Sequence, residues 1–314
     1  MMQDNKSILL FTGNSNIPLA ENVANELGTK IGEQSVGKFP DGEICVEINE
    51  SVRGKKVYIL QSTNAPADNL MELLIMIDAA KRASAKEITA IIPFFGYSRQ
   101  DRKTKPREPI TAKLVSNLIT TAGANRVVSI DLHAGQIQGF FDIPLDNLTA
   151  AYLFAEHIKK RRLENLCILS PDVGGVGRAS KFAEILKADQ AIFVKKRLSP
   201  EDVEMQALIG DVKDKNVVIF DDAIHTGNTM ISAAQKAKEF GAKKIFACAT
   251  HAVFSGNAAK LLEGSIISEV VVTDTIYIPE SKYFNGLNIL SVAPLLKNTI
   301  LNINNNLSVS NLFK

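Results

Sequence analysis

Val217-Val218-Ile219-Phe220-Asp221-Asp222-Ala223-Ile224-His225-Thr226-Gly227-Asn228-Thr229 is the stretch on which the reading of this chain turns. Its first four residues are apolar and mostly β-branched, as a strand buried on both faces requires. Two carboxylates follow at the strand's C-terminal end, the position where ligands bind in open α/β sheets. A small-residue loop then enters the helical run Ile231 to Phe240, whose free N–H groups and positive dipole end form an anion site. Acids that accept from vicinal hydroxyls beside a loop that holds a phosphate suit a sugar phosphate. An Asp-rich turn that only caps a helix is the plainer alternative.

The same pattern recurs outward along the chain. Ile8 to Phe11, Val57 to Leu60, Ile88 to Ile92, Val127 to Ile130, Cys167 to Leu169, Ala191 to Val194 and Lys244 to Ala247 are further apolar runs that stop where turn residues begin. Between them, Leu70 to Arg82 and Ile110 to Thr121 carry Leu, Ile and Met at i, i+3, i+4 and i+7, the spacing of amphipathic helices packed on a sheet. This alternation predicts an α/β fold with mainly parallel sheets. There is also a faint internal repeat. Ala85-Lys86-Glu87-Ile88-Thr89-Ala90 recurs in type at Ala242 to Ala247, Val127 to Asp131 at Val270 to Asp274, and Ile143-Pro144 at Ile278-Pro279, in the same order. Two copies of one α/β fold with different loop lengths would produce it, with a boundary near Asn147 to Ala151.

Length and composition agree with two domains. The 314 residues are 46% hydrophobic and 22% charged, enough for a sizeable core under a solvated surface. Thirty-six Lys and Arg against 34 Asp and Glu leave +2, too little for the broad positive field of a nucleic-acid binder, so any phosphate chemistry is local. Cys45, Cys167 and Cys248 are odd in number, lack C-x-x-C spacing and sit among apolar residues, which speaks against disulfide or zinc frameworks and for a reduced compartment. With no signal-peptide core in Met1 to Gly13 and no 18-residue apolar run, the expectation is a cytoplasmic protein with no membrane partner.

Asp221-Asp222-x-x-x-Thr226-Gly227-x-Thr229 after such a strand resembles the phosphoribosyl-diphosphate loop of the phosphoribosyltransferase fold. Lys38 to Glu43, Asn69 to Leu74, Tyr97 to Lys103, Pro109 to Val115, Asp131-Leu132-His133 and Ser170 to Gly175 narrow the match. In that order and spacing they resemble the ribose-phosphate diphosphokinase family, over about Leu9 to Phe313. Members make phosphoribosyl diphosphate and AMP from ATP and ribose 5-phosphate. The resemblance implies two tandem phosphoribosyltransferase-type domains. Residues 1–150 would carry the ATP-site loops; residues 151–314 would carry the ribose 5-phosphate site, the catalytic lid and the C-terminal tail.

Carried over residue by residue, the resemblance implies an adenine and ATP loop at Phe39, Asp41, Gly42 and Glu43. An aromatic face can stack a purine there and carboxylates can accept from its amino group. Arg99 and Gln100 would be ATP contacts through charge-assisted bonds. His133 and Asp172 would be ligands of ATP-bound Mg2+. An imidazole is unusual for an ion that prefers oxygen, so His133 acts either through a bound water or through the triphosphate. Lys195 and Arg197 open a stretch, Leu198 to Lys215, of lid-like length and little periodicity, and are the catalytic candidates, with Arg197 also reaching the sugar phosphate. Asp221 with Asp222 would hold the ribose hydroxyls, a metal ion, or both. His225, Thr226, Gly227, Asn228 and Thr229 would bind the 5-phosphate. His157, on a predicted polar helix face, and His251, at a strand end, receive no role.

His225 departs from the family pattern, which has Asp there. Backbone binding of phosphate should survive the change, and an imidazole facing the phosphate would raise affinity as pH falls through about 6.5. Homo-oligomers, typically hexamers, with phosphate and ADP regulation at a subunit interface are further implied properties; Ser51, Arg53, Ser308 and Ser310 resemble parts of that site. Two other readings stay open. A nucleobase phosphoribosyltransferase would share the phosphate loop but needs no ATP site, and a non-catalytic regulatory subunit would carry an interrupted site.

Overall fold

Each apolar run named above is a strand in the computed structural model, which describes residues 8–196 and 205–313. The chain divides into two compact units. The first comprises Met1–Leu148, Thr275–Tyr277 and Ser291–Lys314. Its elements are β1 (Ile8–Thr12), α1 (Ile17–Leu27), β2 (Gln34–Lys38), β3 (Ile44–Ile48), β4 (Lys56–Leu60), α2 (Asp68–Arg82), β5 (Glu87–Ile92), α3 (Thr111–Ala122), β6 (Arg126–Ile130) and β7 (Leu145–Leu148). A parallel sheet runs β1-β4-β5-β6-β7, while β2 and β3 form a separate antiparallel pair. Val57, Ile59, Ile88, Ala90 and Val127 pack with Leu73, Met76 and Ile77 of α2 and with Val115 and Ile119 of α3.

The second unit comprises Thr149–Asp274 and Ile278–Leu290. It contains α4 (Ala151–Lys160), β8 (Leu166–Ser170), α5 (Val176–Leu186), β9 (Asp189–Lys196), β10 (Met205–Ile209), β11 (Asn216–Ile224), α6 (Asn228–Glu239), β12 (Lys244–Ala252), α7 (Ala258–Glu263), β13 (Glu269–Thr273) and β14 (Leu287–Leu290). The sheet runs β10-β9-β8-β11-β12-β13-β14 and is parallel except for β10 against β9. Phe220 of β11 stacks on Phe182 of α5 at 4.2 Å and meets the edge of Phe154 of α4 at 5.8 Å, which fixes these helices on one face.

The repeat read in the sequence is a repeat of topology. Each unit runs strand, helix, antiparallel pair, strand, helix, strand, helix and two strands, and β8-β11-β12-β13-β14 repeats the order β1-β4-β5-β6-β7. The matched stretches lead into β5 and β12, form β6 and β13, and precede β7 and β14. What differs is the antiparallel pair: β9 joins the main sheet through β8, whereas β2 and β3 pair only with each other.

Two expectations are corrected. The C-terminal tail does not belong to the second unit. The last helix, α8 (Ala293–Asn304), packs along α1 in the first, where Lys297 pairs with Glu26 at 3.3 Å and Lys56 Nζ reaches the Asn304 carbonyl at 3.4 Å. The Leu198 to Lys215 stretch is not all loop, because Met205–Ile209 is a strand hydrogen-bonded to β9. His157 has partners that its place on a polar helix face did not predict: its Nε2 is 2.7 Å from Glu269 Oε1, which also accepts from Arg161 at 2.6 Å. β2, β3, β7, β10 and β14 were absent from the expected strands. In β2, β3, β7 and β14 most residues are partly exposed and polar residues interrupt the apolar ones, whereas β13, fully buried, was read only as part of the repeat.

Candidate functional site

In the second unit the connection from β8 leads to β9 on one side, while the chain continues from β11 to β12 on the other. Strand order therefore reverses between β8 and β11, and the loops leaving these strands part there to make a crevice. β8 pairs with β11 only as far as Leu169 and Ile219, so Phe220 to Ile224 extend past it, held by β12. Asp221 and Asp222 stand on this extension. Arg178, in the first turn of α5, places one nitrogen, Nη1, 2.6 Å from Asp221 Oδ1 and 3.0 Å from Asp222 Oδ1. Side-chain exposures of 20%, 16% and 8% for Arg178, Asp221 and Asp222 mean that the trio is largely out of water. Burial first, and then the neighbouring Asp222 carboxylate, raise the Asp221 carboxyl well above the ordinary range, and Arg178 opposes the rise. One guanidinium faces two carboxylates, so the trio as fully ionised would keep one negative charge.

Around this trio lie the turn after β8 and the loop after β11. Asp172 is half-buried, its Oδ1 accepts from the Gly175 N–H at 3.0 Å and its carbonyl accepts from Ser170 Oγ at 2.7 Å. Gly175 is close-packed: a Cβ there would lie 2.9 Å from Ser170 Oγ and 3.7 Å from Asp221 Oδ1. His225 is half-buried, and its carbonyl accepts from the Ser255 N–H at 2.8 Å, which holds the loop. Gly227 caps α6 with φ +82°, a conformation that suits glycine. No side chain bonds to the cap, so the first N–H groups of α6, beside the exposed Thr226, Asn228 and Thr229, are presented to an anion.

The candidate nucleotide residues are all in the first unit. Phe39 is 54% exposed at the tip of the β2–β3 pair. Its N–H donates to the Glu43 carbonyl at 2.8 Å, Glu43 N–H donates to Asp41 Oδ1 at 3.1 Å, and Gly42 turns the chain at φ +94°. An ion pair between Lys38 and Asp68 ties this tip to the start of α2. Arg99 and Gln100 are exposed on the loop after β5. That loop is seated by Gly96, whose N–H donates to Thr63 Oγ1 at 2.7 Å, and by Gln100, which accepts from Thr111 through its side chain and from Ala112 N–H at 3.2 Å through its carbonyl. His133 is exposed in the turn after β6, next to Leu132, whose N–H donates to Asn147 Oδ1 at 3.1 Å.

Lys195 is on β9 opposite Gln206, and Arg197 falls outside the described residues. As donors for magnesium, Asp172 offers the hard carboxylate oxygen that the ion prefers, and the His133 imidazole fits through an intervening water or through the triphosphate. Among the described residues no group of three or more His, Cys, Asp or Glu side chains is arranged to hold a metal ion. Ser308 and Ser310, whose hydroxyls are 2.7 Å apart, lie in the first unit with Ser51 and with Arg53, which donates to Ser84 at 3.3 Å.

Two features escaped the sequence reading. One is Arg178, whose signal was a cation in a first helical turn, where the dipole favours anions. The other is what fills the first unit's version of the crevice. Counted from the paired starts of β1 and β4, and of β8 and β11, Asn14 stands where Asp172 does and Gln61 where Asp221 does. Glu72 of α2 is buried between them. Its carboxylate accepts from Asn14 N–H, Asn14 Nδ2 and Gln61 Nε2, each at 2.8 Å, and Gln61 Oε1 accepts from Ser15 N–H at 3.1 Å and Ser15 Oγ at 2.7 Å. The position held by the carboxylates and Arg178 in one copy is filled by Glu72 and its amide partners in the other.

Comparison with known proteins covers both units. A family profile described as the N-terminal domain of ribose phosphate pyrophosphokinase matches residues 8–123, and one described as the phosphoribosyl synthetase-associated domain matches residues 187–314. The chain is 51% identical over 310 residues to a ribose-phosphate pyrophosphokinase of Fusobacterium nucleatum, covering 98% of each protein. It is 52% identical over 315 residues to that of Caldanaerobacter subterraneus, covering 100% of each. A crystal structure of phosphoribosylpyrophosphate synthetase from Mycobacterium smegmatis superposes with a TM-score of 0.91 at 44% identity, over 96% of this chain and 99% of that one.

Proposed function

Because the chain belongs to the ribose-phosphate pyrophosphokinase family, we propose that it moves the diphosphoryl group of ATP to the C1 hydroxyl of ribose 5-phosphate, giving phosphoribosyl diphosphate and AMP. The observation that carries this reading is the pair Asp221 and Asp222 at the strand-order reversal, beside the start of α6, whose glycine cap makes no side-chain hydrogen bond. Carboxylates accept from ribose hydroxyls, and the N–H groups at residues 226–229, with His225 beside them, take the 5-phosphate. Phe39 stacks on adenine, Asp41 and Glu43 accept from its amino group around the Gly42 turn, and Arg99 and Gln100 contact the phosphates.

The C1 oxygen attacks the β-phosphorus in line, and the bond to the α-phosphate's bridging oxygen breaks with AMP as leaving group. Little covalent work falls to the protein, so rate comes from positioning and from cations on the oxygens that gain charge. Lys195 and Arg197 are those cations, and Arg197 also reaches the sugar phosphate. Magnesium would be held by Asp172 and would offset charge on the triphosphate, with His133 acting through a bound water or through the triphosphate itself. A cytoplasmic homohexamer regulated by phosphate and ADP near Ser51, Arg53, Ser308 and Ser310 belongs to the same proposal. No helix of the described residues is long and apolar enough to cross a membrane.

The test is AMP release from ATP and ribose 5-phosphate alone, with Lys195→Ala slower by about 10²–10³-fold, as for loss of one charge-stabilising group. A nucleobase phosphoribosyltransferase would make no AMP without phosphoribosyl diphosphate. A regulatory subunit would show no turnover that Lys195→Ala could remove.

A further inference from the structure

We propose that Arg178 is a positioning residue for sugar binding: its guanidinium clamps Asp221 and Asp222 in the orientation that receives the ribose hydroxyls. The assignment rests on the reading of Asp221 and Asp222 given under Proposed function. Geometry supplies the argument. The two carboxylates are consecutive on β11, where alternate side chains point to opposite faces, yet both reach the same Nη1, at 2.6 and 3.0 Å. The Asp222 N–H also donates to Asp221 Oδ1 at 2.9 Å, which draws the two groups together. Without the shared cation, the pair would carry an unneutralised charge in a crevice that water reaches poorly, and its oxygens would lose the contact that sets their direction.

Arg178 comes from the helix that follows the Asp172 turn, so one side chain ties that turn's helix to the carboxylates. Gly175 lies against the pair, the position of a Cβ there being 3.6 Å from Arg178 Nη1 and 3.7 Å from Asp221 Oδ1, both ordinary contact distances. Anchoring of α5 on the sheet does not depend on the guanidinium, because Phe182 stacks on Phe220 and Ala179 and Ala183 are buried. A folded protein with misdirected carboxylates is therefore the expected result of removing it.

Arg178→Met keeps the length of the side chain and deletes the charge, while Arg178→Lys keeps a cation that can sit between two carboxylates but forms no planar fork. The measurement is steady-state kinetics of AMP release together with calorimetric titration of ribose 5-phosphate into the full chain. Arg178→Met should raise the KM for ribose 5-phosphate and weaken its binding by about 10- to 50-fold, the scale of a lost charge-assisted hydrogen bond, with the KM for ATP within twofold of wild type. Arg178→Lys should recover a large part of that loss. Unchanged binding of ribose 5-phosphate in Arg178→Met, an equal rise in both KM values, or a fall in kcat alone would overturn the assignment. Should Arg178→Met fail to fold, Arg178→Lys carries the test, and wild-type KM with a halved melting transition would mean a purely structural brace. Wild type that binds ribose 5-phosphate without releasing AMP would defeat the proposed reaction while leaving the calorimetric test of Arg178 intact.

Discussion

Replacing Glu72 by leucine should destabilise the first unit by about 3 kcal/mol, and the figure follows from what each donor around the carboxylate has left. Asn14 Nδ2 keeps the Val36 carbonyl at 3.3 Å, and Gln61 Nε2 keeps the Asn69 carbonyl at 3.1 Å. The Asn14 N–H, which is 2.8 Å from Glu72 Oε2, loses that acceptor. One orphaned backbone donor costs about 1–3 kcal/mol, and the charged bonds lost by the other two donors add about 1–2, offset in part by the leucine's apolar burial. Glu72→Gln retains one acceptor oxygen but turns an amide N–H toward donors, and should cost about 1–2 kcal/mol. At roughly 2–4 °C per kcal/mol for a unit of this size, thermal unfolding followed by circular dichroism should show Glu72→Leu lower by about 6–12 °C and Glu72→Gln by about half as much. Glu72→Leu within about 0.5 kcal/mol of wild type, the range of an ordinary surface change, would refute the view that this carboxylate fills the crevice.

Two further outcomes test the site. Gly96→Ala would put a Cβ in overlap with the Thr63 carbonyl, 2.9 Å from its carbon, and should cost about 1–3 kcal/mol; because the same loop carries Arg99 and Gln100, the KM for ATP should rise while that for ribose 5-phosphate stays put, and equal effects on both would contradict the assignment. Asp221 is raised to about 8 by burial and by Asp222, so the native chain holds a proton that the unfolded chain releases near pH 4, and stability falls as pH climbs through that interval. Asp221→Asn should abolish that decline and unfold at higher temperature than wild type at pH 8 while losing ribose 5-phosphate binding. A melting curve that tracks wild type from pH 5 to pH 8 would contradict the shared-proton picture.

Much of this molecule was legible in one dimension because its central strands are buried on both faces. Val57 to Leu60 and Val217 to Phe220 must be continuous apolar runs, and carboxylates or loops that follow such runs stand at a ligand-facing edge wherever the sheet is parallel. Half-exposed strands such as Gln34–Lys38 leave no such mark, since polar and apolar residues serve them equally. The site followed the same division. Asp221, Asp222 and the Gly227 turn were readable from local chemistry, whereas Arg178 was not, because its nearer partner is 43 residues away and its own neighbours say only that a helix begins.

The amino-acid order alone determined the α/β class, the internal duplication, the phosphate loop and the family to which the chain belongs, for each rests on local periodicity or on short-range spacing. Only the tertiary structure decided that the C-terminal helix returns to the first unit beside α1, that β10 extends the second sheet, and that Glu72 fills one crevice while Arg178 braces the other. Those outcomes depend on contacts between residues far apart in the chain, and the energy that selects them comes from burial and charge pairing that exist only after the sheets have formed.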